Sequence, residues 1–394
     1  MVSLAMGLLA KPLLLPAQTN LECVGFSDIS KHVCDVTVSG HYLFTAGSWQ
    51  DGLQIFDISN PTNLVRIGHI YDFENGGNAQ GVAVCGNYAY VAISNDKMRI
   101  YDVSDPTHPI CVGHSPEIAG AFGIAVSGLV KSPHNTFFQK SKTGAHFVFL
   151  ASFNGGLQIY DVSNPVEPKQ LAHVNDGGTA VDATVAGNYV YLADDYGGLR
   201  IYDISNPANP LGVGHSHEIG YPWGVVVDGK IAYVADNFHG FTIFDISSPM
   251  NPVVLANIQN NPPKENFLDH LSGKNKGKVF IQGSAYGIAV LGHHAYIANF
   301  QDGVWAYDIS CPTNPIAVAH TSTNYGGFSK RLAVSAGYAY VANQDDGIRV
   351  YKVFNDNPIQ QPSSYIWIYF LLLLLVLASL AFGYRRKHSG QHET

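Results

Sequence analysis

The chain has 394 residues, of which 13% are charged and 46% hydrophobic, and its net charge is −8. That composition excludes a disordered chain, and an acidic body argues against nucleic acid as a main partner. Five cysteines (Cys23, Cys34, Cys85, Cys111, Cys311) form no CxxC pair and no regular spacing. Their odd number leaves at least one thiol unpaired within the chain.

Residues 1–20 open with an apolar run, Val2–Ala10, followed by Lys11 and Leu13–Leu15. The stretch is similar to a short secretion signal with Ala17 as a cleavage point, although no basic residue precedes the run.

From Leu21 to Phe354 the chain repeats. Its marker is a hexad, clearest at Tyr202-Asp203-Ile204-Ser205-Asn206-Pro207, with copies at Phe56–Pro61, Tyr101–Pro106, Tyr160–Pro165, Phe244–Pro249 and Tyr307–Pro312. A seventh copy starts at Tyr351, where Lys352 replaces the aspartate. Within each unit a VAV-type strand (Val82–Val84) is followed by a YAYVA-type strand (Tyr88–Ala92). A third strand (Leu199–Asp203) runs into the hexad, and a fourth (Leu211–His215) ends near Gly-His. Apolar runs this short, broken by Gly, Asn and Pro, read as strands. The aspartate is expected to accept backbone N–H bonds from the residues after it, and Pro then turns the chain. Sixfold repetition makes that a structural role and not a catalytic one.

Periods near 40 residues indicate a stacked or circular array. The hexad aspartates are spaced 45, 59, 42, 42, 63 and 44 residues apart through to Lys352, which places one insertion near Lys131–His146 and another near Ile258–Gln282. The seventh unit has three strands and no fourth. Leu21–Phe26 matches the fourth-strand type and has no strands before it. An N-terminal strand that completes the last sheet removes the open edges of an unfinished array. The expected fold is all-β, a seven-bladed β-propeller over 21–354 closed by an N-terminal strand.

Units such as GGLRIYDISNPANPLGVGH and DGLQIFDISNPTNLVRIGH resemble the LVIVD repeat family. The resemblance recurs seven times between Leu21 and Phe354, departing in the last unit at YKVFNDNP. It implies a β-propeller surface protein and brings no agreed active site with it.

Residues 355–364 read as a linker and 365–384 as one transmembrane helix. The stretch has no charge, interfacial aromatics (Tyr365, Trp367, Tyr384) and length for one bilayer core. Arg385, Arg386 and Lys387 begin a short basic tail, 385–394, expected on the cytoplasmic side. The propeller is then extracytoplasmic and tethered by its C-terminus. The chain leaves after a third strand, so the face carrying the first-to-second-strand loops should look toward the membrane. Lys131, Lys140 and Lys142 would lie there. The other face, with the fourth-to-first and second-to-third loops, should look outward and carry the second insertion. Lys264, Lys274, Lys276 and Lys278 make that insertion a basic contact loop on an acidic body.

The outer ends of the seven inner strands converge on a channel mouth. One position there reads Asp35, Gly81, Gly123, Asp182, Gly224, Gly287 and Arg331. Glycine suits close packing around the axis, and the three charged residues break the pattern. Asp35 and Arg331, in neighbouring units of a closed ring, are expected to pair. Phe122, Trp223 and Tyr286 would form an aromatic rim above them. Pockets with a few polar groups among aromatics are usual binding sites. His69, His114, His173, His215 and His320 share one repeat position, which would spread them around the circumference and leave them hydrogen bonding at strand ends. No GxSxG, HExxH, Walker or dinucleotide fingerprint occurs, and the reading invokes no cofactor and no metal. The expected function is a binding or scaffold module for a protein or glycan at the cell surface. The alternative is a propeller-type hydrolase or lyase with Asp35, Asp182 and Arg331 at its active site.

Overall fold

The structure is a computed structural model. It describes residues 19–354 apart from 50, 73–76, 97, 117–119, 128–146, 154, 176, 238, 259–283 and 322–326. Both insertions, with Lys131, Lys140, Lys142, Lys264, Lys274, Lys276 and Lys278, and the whole of 355–394 lie outside the described residues, as does most of 1–20. Among the described residues no helix is long and apolar enough to cross a membrane.

Each of the first six repeats folds as four antiparallel strands paired in sequence order, and the seventh supplies three, as expected. In blade 4 the strands are Ala180–Ala186, Tyr189–Asp194, Gly198–Asp203 and Leu211–Ser216. The inner strands of blades 1 to 7 are Val33–Ser39, Ala79–Cys85, Ala121–Ser127, Ala180–Ala186, Gly224–Asp228, Gly287–Leu291 and Arg331–Ser335. Each packs against the next, and the seventh packs against the first, so they form a closed ring.

Closure comes from the N-terminus. Cys23–Ser27 pairs antiparallel with Ile348–Lys352 and supplies the fourth strand of blade 7. Its bulge between Cys23 and Gly25 matches the irregularity between third and fourth strands in the other blades, for instance at Ile201/Tyr202. Just before it, Thr19–Asn20 pairs parallel with Ala319–His320 at the outer edge of blade 6. This fifth strand was not anticipated from the sequence. The entering chain is therefore fastened to two adjacent blades.

The core lies between blades. Seven apolar clusters each mix residues of two neighbours, and the one joining blade 7 to blade 1 contains Val33, Phe56, Tyr340 and Val350. The hexad aromatics, Phe56 to Tyr351, are all buried there. Burying one such side chain contributes roughly 2–3 kcal/mol.

The hexad also shapes the seams. In all six complete copies the aspartate Oδ1 accepts the N–H of the serine two residues on, at 2.8–2.9 Å. The turn then aims its proline carbonyl at the fourth strand of the preceding blade. A Cβ added to Gly68 would collide with the Pro106 carbonyl, and one on Gly113 with that of Pro165. Gly25 stands in the same relation to Pro61. The N-terminal strand thus meets blade 1 as an ordinary fourth strand would. The repeated histidines bond at strand ends: His173 and His215 Nε2 lie 2.6 and 2.8 Å from the carbonyls of Gly155 and Gly197.

Candidate functional site

The mouth begins with one register position. Asp35, Gly81, Gly123, Asp182, Gly224, Gly287 and Arg331 pair with Ala46, Ala92, Ala151, Ala193, Ala235, Ala298 and Ala342 of their second strands. The seven are therefore structurally equivalent. Glycine is needed where the next backbone comes close: a Cβ on Gly81 would lie 2.6 Å from the Phe122 carbonyl oxygen, and one on Gly123 2.6 Å from Asp182 Cα. Where aspartate replaces glycine, its carboxylate bonds the next blade instead. Asp35 Oδ2 accepts the Val82 N–H at 2.9 Å, and Asp182 Oδ2 accepts the Val225 N–H at 3.0 Å.

Arg331 pairs with Asp182 and not, as the sequence suggested, with Asp35. Its Nη1 lies 2.5 Å from Asp182 Oδ2. The bond crosses the channel from blade 7 to blade 4. A neighbouring strand is too close for a long guanidinium to fold onto, whereas the span of the channel suits its reach. Asp35 still feels the same charge. Burial pushes its carboxyl up to about 6, with Arg331 opposing and Asp182 adding to the rise. Arg331 is held above its ordinary value because Asp182 and Asp35 outweigh burial.

The expected aromatic rim is only partly continuous. Trp223 and Tyr286 touch edge to face, with ring centroids 4.5 Å apart. Phe122 packs instead on Phe153 of its own blade, at 5.0 Å, and Val181 of blade 4 intervenes between it and Trp223. The run continues in the other direction: Tyr286 stacks on Phe300 at 4.9 Å, and Phe300 on Phe328 at 4.4 Å. Phe300 adopts a left-handed φ of 48°, and its backbone bridges to Ser329 of the next blade. All four rings are half-buried.

Sequence reasoning missed Phe300, Phe328 and Asp195. Asp195 Oδ1 accepts the Trp223 indole N–H at 3.1 Å. Burial raises its carboxyl, the indole bond opposes the rise, and Asp194 and Asp236 add to it. Tyr286 is raised too, by burial and then by Asp195. For Asp195 and Phe300 the available signal was the second-to-third-strand turn, where ADDYGG and ANFQDG place bulky or doubly charged residues. Those turns share the mouth face with the inner-strand ends.

A hollow of about 470 Å³ lies elsewhere, on the hexad face between blades 4 and 5, lined by Tyr189, Tyr191, Lys230 and Ile246. Its counterpart of about 390 Å³ recurs between blades 2 and 3, beside Tyr88, Tyr90 and Val162. Recurrence at equivalent seams marks both as products of blade packing. Among the described residues no cluster of three metal-ligating side chains occurs. The mouth offers carboxylates, one bridging guanidinium and a run of aromatic faces, which suit recognition by charge and stacking.

The LVIVD repeat model matches seven times, at residues 30–72, 76–115, 145–176, 177–215, 219–259, 282–323 and 326–350. No curated protein matches the chain. Among solved structures, the β-propeller domain of Cps50 (Swd1) from Myceliophteria thermophila is similar at 12% identity and a TM-score of 0.61. A computationally designed protein, Ika8, is similar at 10% identity and 0.54. Each likeness covers 85% of this chain and 100% of the other. At such identities the likeness speaks to fold alone.

Proposed function

The chain belongs to the LVIVD repeat family, and on that premise we propose that it is a binding module that recruits a partner through the mouth face of a rigid ring. The observation that carries this reading is the run Trp223–Tyr286–Phe300–Phe328 beside the Asp182–Arg331 bridge. Half-buried aromatics beside desolvated charges are what binding hot spots are made of. The blades behind them are fully packed, so the face needs little ordering on binding. In this reading the apolar, uncharged stretch 365–384 and the basic residues after it anchor the ring outside the cytoplasm.

The test is capture of a protein or glycan from surface extracts of the source cells by the purified full chain. Trp223→Ala with Tyr286→Ala should abolish capture. Asn206→Ala, on the hexad face, should leave it intact. Equal capture by both variants would refute the mouth as the binding face.

A further inference from the structure

We infer that the mouth recognises an organic cation, the ammonium or guanidinium of a lysine or arginine on a protein partner, held between the Asp195 carboxylate and the Trp223–Tyr286 aromatic pair. This rests on the mouth being the binding face and names the chemistry that it takes.

The argument starts from how the carboxylates of blades 4 and 5 are satisfied. Asp194 Oδ1 accepts the Thr179 N–H at 2.5 Å, and its Oδ2 lies 2.7 Å from Arg200 Nε. Asp236 accepts the amides of Gly220 and Tyr221 at 2.6–3.1 Å, and its side chain lies 3.7 Å from His239 Nδ1. Asp195 differs. It is 9% exposed, and among the described residues its carboxylate takes one hydrogen bond, from the Trp223 indole, and meets no cation. Its other oxygen is uncommitted and reaches solvent, where a positive group can pair with the carboxylate. Its neighbours Asp194 and Asp236 carry the same sign, and Arg200 and His239 are engaged with those two and not with Asp195. The local field therefore favours a positive ligand and repels an anionic one.

The aromatic pair fits the same ligand. Cations are attracted to the faces of Trp and Tyr rings, and the attraction grows when water is excluded. Asn237 adds a second, independent observation. The residue is 6% exposed, and its Oδ1 has no hydrogen-bond partner among the described residues. Its backbone bridges Ala285, the residue before Tyr286, which sets it at the rim beside the aromatic pair. An acceptor left without a donor beside the rim adds to the negative potential there, and ammonium and guanidinium groups, which offer only donors, are drawn to it.

The probes are arginine amide and lysine amide, with citrulline amide and norleucine amide as uncharged counterparts. They are titrated against the full purified chain and followed by indole fluorescence and calorimetry. The cationic probes should bind saturably and at least about tenfold more tightly than their counterparts. Asp195→Asn should lose at least about tenfold in cation affinity. The asparagine Oδ1 can still accept the indole N–H, so the melting temperature should hold. Trp223→Phe, which keeps a ring but frees the carboxylate oxygen, should retain cation selectivity and lose the fluorescence response. Equal binding of charged and neutral probes, unchanged affinity in Asp195→Asn, or no saturable binding would overturn the inference. Saturable binding of a neutral oligosaccharide at Trp223 in place of the cations would also overturn it while leaving the mouth as the binding face. Loss of the mouth reading itself would show instead as capture that survives Trp223→Ala with Tyr286→Ala.

Discussion

The two faces of the ring obey opposite rules. On the hexad face each complete copy has an aspartate bonded to a serine amide at 2.8–2.9 Å, and at four seams a proline carbonyl is aimed at a glycine of the preceding blade. On the mouth face one register position carries Gly four times, Asp twice and Arg once. The turns above it range from Asp195 to Phe300. Repetition marks what every blade needs in order to stand. Departure from it marks what the ring needs only once, and a binding site is needed once.

Substitutions at the seams should have the largest effect. Gly25→Val would drive a side chain into the Pro61 carbonyl where blade 7 meets blade 1. Backbone cannot yield as a flexible side chain can, so we expect more than about 3 kcal/mol of destabilisation, read by denaturant unfolding. Gly68→Val should cost a similar amount, because the closing seam is built like the others. A much milder Gly25 variant would mean that the N-terminal strand is not a true fourth strand.

Next in size is Arg331→Ala. It leaves Asp182 and Asp35 facing one another without their cation, at a cost of about 2–4 kcal/mol. Adding Asp182→Asn should recover part of the loss, because the unpaired charge is what hurts. Simple additivity of the two substitutions would break the case for a bridge across the channel.

The two faces should also differ in the sign of their pH response. Burial raises Asp35 to about 6 from an ordinary 3.8. Its neutral form is therefore favoured in the folded state. Stability from this group is fully present below pH 3.8 and is lost as pH rises through about 6. Asp35→Asn should flatten that part of the stability–pH curve. Asp102, Asp203, Asp245 and Asp308 are held below their ordinary values by the serines that follow them. Their contribution is present above 3.8 and is lost as pH falls through the lowered values. A curve that Asp35→Asn leaves unchanged between pH 4 and 7 would contradict the assigned burial of that carboxylate.

Smallest of all should be the loss of a single hexad hydrogen bond. Asp203→Ala removes one exposed, local bond, for under about 1 kcal/mol. The same substitution in other complete copies should give closely matching values. Wide scatter among them would weaken the contrast between a uniform face and a varied one.

The ring was legible because its signal is redundant. Seven copies of one strand pattern, and a fourth-strand sequence stranded at Leu21–Phe26, specify blade number and closure together. The parallel pairing of Thr19–Asn20 was not legible, because two residues carry no periodicity. The mouth position was also readable, since alignment of the repeats put Asp35, Asp182 and Arg331 on one level. Which carboxylate Arg331 takes depends on the distance across a channel, and sequence adjacency misled by favouring the neighbouring blade. Phe300 and Phe328 were hidden for a similar reason. Their stack joins turns from two blades, and no local pattern encodes a contact across a seam.

The most direct test is amide hydrogen exchange of the full chain, with and without the captured partner. Protection should rise at the inner-strand ends and turns around Asp182, Asp195, Trp223 and Tyr286, and stay unchanged at the hexad turns around Asp57, Asp102 and Asp203. Protection gained at the hexad turns, with the mouth segments unaffected, would contradict the account.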